Sequence, residues 1–193
     1  MALSPCTELR PRDEGRLLGI ARDSIDSGLR HGRPLDVPAA ALSGTLAAPR
    51  GVFVTLTRRA ALRGCIGSMQ SSEPLARGVA DSAFGAAFRD PRFPQLQAHE
   101  FEDTHIEISI LSPMEPLAAA NREILMETLK PGVDGLLLED GHHRSTFLPK
   151  VWEQLPDPGL FLDHLLTKAG LPGDYWSTTL RFQRYTSTSI AED

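Results

Sequence analysis

The stretch LRGCIG, residues 62–67, sets one cysteine between two glycines in a run that otherwise has the composition of a β-strand. Glycine weakens a strand, so a pair of them points to a bulge or to a group that closely approaches the backbone. Cys65 is the candidate nucleophile, because a thiolate attacks electrophiles and its reactivity rises beside a cation. Arg63 lies two residues away, and the alternation of a strand puts it on the same face as Cys65. Gly64 and Gly67 leave room for a substrate or another loop, and a bulge at Gly67 would turn the end of the strand. The competing reading makes Cys65 a small buried apolar residue.

A cysteine enzyme also needs a base. HIEISILSP, residues 105–113, alternates Ile106, Ile108 and Ile110 with His105, Glu107 and Ser109, which gives one core face and one polar face. Glu107 is the further catalytic candidate, and with His105 it would complete a Cys–His–Glu arrangement if the two strands are near neighbours. In FRDPRF, residues 88–93, Arg92 is suited to holding an anionic group with Asp90 orienting it; the alternative is an ion pair that fixes the end of a helix. Metal chemistry has no support. His142 and His143 are adjacent, would point to opposite sides if extended, and have no CxxC or HExxH beside them, so they read as turn residues. Nucleotide signatures are also missing, with neither a GxGxxG nor a P-loop, so the residues name no cofactor.

These groups must be positioned by a chain of 193 residues with 41% hydrophobic and 23% charged content, enough for a proper core. A formal charge of −5 argues against broad binding to nucleic acid or to an anionic membrane. Two cysteines, one of them Cys6 in a loosely held lead over residues 1–11, point to a reducing, cytoplasmic setting. No apolar run reaches the roughly 20 residues needed to cross a bilayer, and MALSPCTELR lacks the order of a signal peptide.

Periodicity predicts a helix from Asp13 to Leu29, then an irregular Pro- and Ala-rich excursion over 31–51. A hairpin from GVFVTLT and ALRGCIGSM follows, and a helix capped by Ser71 or Ser72 runs to about Arg89. Further on come the strand at 105–113, a helix over 122–129 and a hairpin from GLLLED and RSTFL. A helix through His164 to Lys168 and a single strand over 180–190 complete the chain. Strands paired by tight turns, with helices between the pairs, give an antiparallel α+β protein.

LRGCIG, AAFRDPRFP (86–94), EISILSP (107–113), PGVDGLLLED (131–140), TFLPKVW (146–152) and LTKAGLPGDYW (166–176) together resemble the AMMECR domain family, known in prokaryotes as AmmeMemoRadiSam system protein A. The resemblance implies a single domain of two intertwined subdomains, two-lobed, with mainly antiparallel sheet flanked by helices. It also implies a cleft between the lobes, lined in part by LRGCIG, and an association with a Memo-type protein and a radical SAM protein. The expected function is a ligand-binding, cysteine-dependent catalytic cleft that takes a small molecule or a protein segment. The alternatives are a non-catalytic adaptor or interaction module, and a regulatory factor that acts on RNA or a nucleotide through Arg58, Arg59 and Arg63.

Overall fold

The computed structural model describes residues 9–70 and 72–192. The expected lead, with Cys6, falls mostly outside them. Among the described residues are five α-helices and two four-stranded antiparallel sheets, an α+β architecture divided into two units. The first unit holds the residues up to Leu111 together with those from Thr188 onward; the second is Ser112–Ser187.

In the first unit, α1 (Pro11–His31) buries Leu17, Ala21 and Ile25 and ends at Gly32 in the left-handed region. It is longer than the periodicity predicts, because Pro11 suits the first turn and Gly32 supplies the C-terminal stop. The excursion that follows packs Val37 and Leu46 into the core. Then come β1 (Val52–Arg58), β2 (Ala61–Ser68), α2 (Leu75–Phe88), α3 (Ala98–Phe101) and β3 (Thr104–Leu111). Ser72 does not cap α2, which starts one turn later behind Pro74, and Ser71 lies outside the described residues.

The sheet order is β2-β1-β3-β8, where β8 (Ser187–Ala191) is the returning C-terminal strand. Val52, Val54 and Leu56 of β1 and Ile106, Ile108 and Ile110 of β3 share the face that packs on α1 and α2. Arg22 of α1 pairs with Glu192, whose carboxylate also accepts from Ile106 N at 3.0 Å, so the chain end is tied to β3.

The second unit contains β4 (Glu115–Leu117), α4 (Arg122–Thr128), β5 (Gly135–Asp140), β6 (His143–Phe147), α5 (Pro158–Lys168) and β7 (Arg181–Tyr185), with sheet order β4-β7-β5-β6. Trp152 stacks on Phe161 with centroids 3.8 Å apart and donates to Asp134 O at 2.7 Å, joining the turn before β5 to the core. The strand expected over 180–190 is in fact two strands in different sheets. The break is at Thr186, whose backbone bonds with Ser112 end the pairing of β7 before the chain re-enters the first unit as β8.

The β1–β2 turn puts two non-glycine residues, Arg59 (φ 51°) and Ala60 (φ 62°), in the left-handed region, as a two-residue hairpin of this hand requires. Each such residue costs about 1–2 kcal/mol. Ala60→Gly is therefore expected to stabilise the protein by about 1 kcal/mol and to raise Tm by about 2–4 °C in a thermal melt.

Candidate functional site

A plain hairpin built on the Arg58–Ala61 pair would set Cys65 opposite Val54, with its side chain in the core. The register shifts between Leu56 and Thr57: Thr57 pairs with Leu62, but Leu56 pairs with Gly64, so Arg63 is an extra residue on β2. Such a bulge moves every later side chain to the other face of the strand. Cys65 consequently pairs with Thr55, on the face away from the helices, where it is half-buried. The expected bulge at Gly67 is thus at Arg63, and Gly67 pairs in register with Phe53.

The same bulge separates Arg63 from the thiol. Its guanidinium meets Glu100 of α3 in a two-pronged ion pair, Nε to Oε1 at 3.0 Å and Nη2 to Oε2 at 2.8 Å. Arg58 Nη1 joins at 3.2 Å, and Glu100 also accepts from Gln97 N. Both Arg63 and Glu100 side chains are nearly nine-tenths buried. Arg63 holds Glu100 down at about 2, with Gln97 N–H and Arg58 assisting against the effect of burial. Arg58 Nε and Arg63 Nη1 are buried without a hydrogen-bond partner, an expense typical of a network that specifies geometry more than it adds stability.

The cation beside Cys65 is Arg92. Asp90, its side chain 2% exposed, receives Arg92 Nη2 at 2.7 Å and Nε at 2.9 Å and also Cys65 N at 2.8 Å. Arg92 Nη2 in turn donates to Cys65 O at 3.2 Å. Since β2 is an edge strand, these two side chains take the place of a neighbouring strand at Cys65. Arg92, followed by the backbone bonds, keeps the Asp90 carboxyl far below its usual range. Asp90 makes the Arg92 guanidinium more basic, and the Cys65 side chain adds to the effect. Arg92 is 55% exposed.

On the open face the thiol has a partner that the sequence pattern did not signal. Thr55 Oγ1 donates to Cys65 Sγ at 3.4 Å. Only the bulge makes these two residues opposite one another, so no local pattern in the sequence signals the contact. Thr55 also pairs with Glu107, and Thr57 with His105. Glu107 and His105 are therefore two strands from the thiol, about 10 Å between backbones. The expected Cys–His–Glu arrangement is not assembled, because β1 runs between β2 and β3 and puts Thr55 in the middle.

The glycines have close neighbours within the protein. A Cβ on Gly64 would lie 2.1 Å from Ala86 O of α2, and one on Gly67 would lie 2.5 Å from Phe53 Cα. His142 sits in the β5–β6 turn, in line with the expected turn; its ring lies 4.1 Å from that of His143, whose Nδ1 bonds Ala169 O at 2.8 Å. Among the described residues, no group of three or more His, Cys, Asp or Glu side chains could hold a metal, and no helix is long and apolar enough to cross a membrane.

An antiparallel sheet backed by two helices, with a half-buried thiol turned outward by a bulge, defines an α+β protein of the kind that LRGCIG suggested. A family model for AMMECR1 matches residues 18–190, and the chain belongs to that family. A protein of Methanothermobacter thermautotrophicus is 38% identical over 185 residues, covering 94% of this chain and 96% of its own. One from Aeropyrum pernix is 39% identical, over 88% and 74%. The crystal structure of an uncharacterized protein from Pyrococcus horikoshii superposes with a TM-score of 0.84 at 32% identity, covering 92% of this chain and 90% of its own.

Glu100→Gln should cost about 3 kcal/mol at neutral pH, because it strands two arginines in a largely buried site. A carboxylate held at about 2 contributes stability that is complete above its unfolded value near 4.5 and lost as pH falls toward 2. Denaturant melts between pH 5 and pH 2 should therefore show a steep loss of stability in the parent protein and a shallower one in the variant.

Proposed function

We propose that the protein binds a small molecule or a segment of a partner protein on the open face of its first sheet, with the Cys65 thiol at the centre and available for covalent chemistry. The observation that carries this reading is the double fixing of Cys65: the bulge at Arg63 turns the thiol outward, and Asp90 and Arg92 hold its backbone. Phe53, Thr55 and Glu107 share that face, giving a ligand one aromatic surface and polar contacts. Arg92, half exposed at the strand edge, supplies a cation for an anionic group on the ligand, and Asp90 orients it. Arg63, Gly64 and Gly67 belong to the site as its framework: the first holds the bulge, and the glycines let α2 and Phe53 approach.

The contact described at the thiol is a hydroxyl, which fits binding, or chemistry that needs no general base, better than acyl transfer. An adaptor that captures a partner segment uses the same face without turnover. The Memo-type and radical SAM proteins that the family resemblance implies are the first partners to try.

Iodoacetamide labelling of a Cys6→Ala variant, read by intact mass, tests the reading. Cys65 is expected to label fully without denaturant and to be protected when a partner or ligand occupies the face. Labelling that requires denaturant would make Cys65 a core residue and end the proposal.

A further inference from the structure

We propose that the Nε and Nη2 hydrogens of Arg58 form a binding site for one oxyanion group, the phosphate or carboxylate of a small ligand. The site is at the end of β1 and makes no use of Cys65. In a guanidinium, Nε and Nη2 form a planar fork that grips two oxygens of one anion. Arg63 shows that fork filled, with Nε and Nη2 holding the two oxygens of Glu100 at 3.0 and 2.8 Å. Arg58 lies beside it, since its Nη1 reaches the same Glu100 Oε1 at 3.2 Å. That contact engages a different edge of the Arg58 guanidinium and leaves the fork to Asp103, which fills it poorly. One oxygen, Asp103 Oδ2, stands 3.5 Å from Nη2, against about 2.7–2.9 Å for a well-formed charge-assisted bond. Arg58 Nε is buried and has no hydrogen-bond partner among the described residues.

Charge and polar satisfaction both point to an anion at this place. Two arginine side chains, 23% and 11% exposed, share the buried carboxylate of Glu100, while the second carboxylate, Asp103, is 53% exposed. Arg63 Nη1, like Arg58 Nε, is buried without a partner, and folded proteins seldom leave a buried donor unpaired because it forfeits its hydration. Glu100, which also accepts from Gln97 N at 3.0 Å, fixes both guanidiniums, so the Arg58 fork is held in place before a ligand arrives. A phosphate or carboxylate supplies two oxygens, one for Nε and one for Nη2, and displaces Asp103 into the solvent that already covers half of it. The formal charge of −5 sets the scale of the ligand: one anionic group and not a nucleic acid.

The test is NMR of the arginine Nε–Hε resonances in the full chain, titrated with sodium phosphate and separately with sodium acetate, with sodium chloride at equal ionic strength as the control. The Arg58 resonance, assigned by through-bond correlation, is expected to shift saturably with at least one of the two anions and not with chloride. Which anion acts tells a phosphorylated ligand from a carboxylated one. Asp103→Asn, at a half-exposed side chain, is expected to tighten the binding about tenfold, because the competing carboxylate is gone. The same anion should raise Tm of the parent and of Asp103→Asn, and should lose that effect in Arg58→Lys, since an ammonium has no fork. No saturable shift in either the parent or Asp103→Asn overturns the proposal and leaves Asp103 as the partner of the fork. Stabilisation by the anion that persists in Arg58→Lys overturns it as well. Should Arg58→Lys fail to fold, the titrations of the parent and of Asp103→Asn still decide. Alkylation of Cys65 is read independently, so this site and the binding face can each fail alone.

Discussion

The bulge at Arg63 is the constraint on which the candidate site depends. A strand has a side-chain period of two, so one inserted residue moves the rest of the strand to the opposite face. Without it Cys65 would face the core beside Val54; with it, the thiol faces Thr55 and solvent. An inserted residue leaves the backbone ladder locally disrupted, and something must hold it in place. Glu100 does this from α3, receiving both prongs of Arg63 while anchored by Gln97 N–H and sharing Arg58. The short helix α3 therefore acts as a fixture for a strand defect 37 residues earlier in the chain.

A second ion pair completes the positioning from the strand edge. Asp90 and Arg92 give Cys65 an acceptor and a donor where an edge strand would otherwise expose both. The two pairs differ in what they leave accessible. Arg63 and Glu100 are closed off together, whereas Asp90 is buried and Arg92 remains half exposed. The first pair is a structural fixture, and the second joins structure to a cation that a ligand can meet. The cation that contacts Cys65, at its backbone carbonyl, thus comes from residue 92 and not from the arginine two residues away in sequence.

The second unit is organised around an aromatic core and leaves its polar groups in local roles. Trp152 and Phe161 stack, Asp157 caps α5 by accepting from Leu160 N, and Tyr185 is pushed up to about 12 by burial while its hydroxyl contacts Thr146 and Phe147 O. His143 contacts the C-terminal end of α5 through Ala169 O, and Lys168 donates to Thr146 O on the edge strand β6. These contacts give the adjacent histidines and the helix-end lysine local structural roles.

The sequence alone determined the elements and their apolar faces: the stripe of Leu17, Ala21 and Ile25, the alternation at 106, 108 and 110, the hairpins, and the family through its LRGCIG and FRDPRF blocks. Those signals are local, carried by period and by turn residues within a few positions. The tertiary structure decided what they build. Which face Cys65 occupies depends on one extra residue whose stability comes from Glu100, and Thr55 becomes its partner only through that shift. The final strand likewise reads as one element, yet it divides at Thr186 because its two halves find partners in different sheets. Register and ion-pair partners are set by contacts distant in the chain, and periodicity contains no record of them.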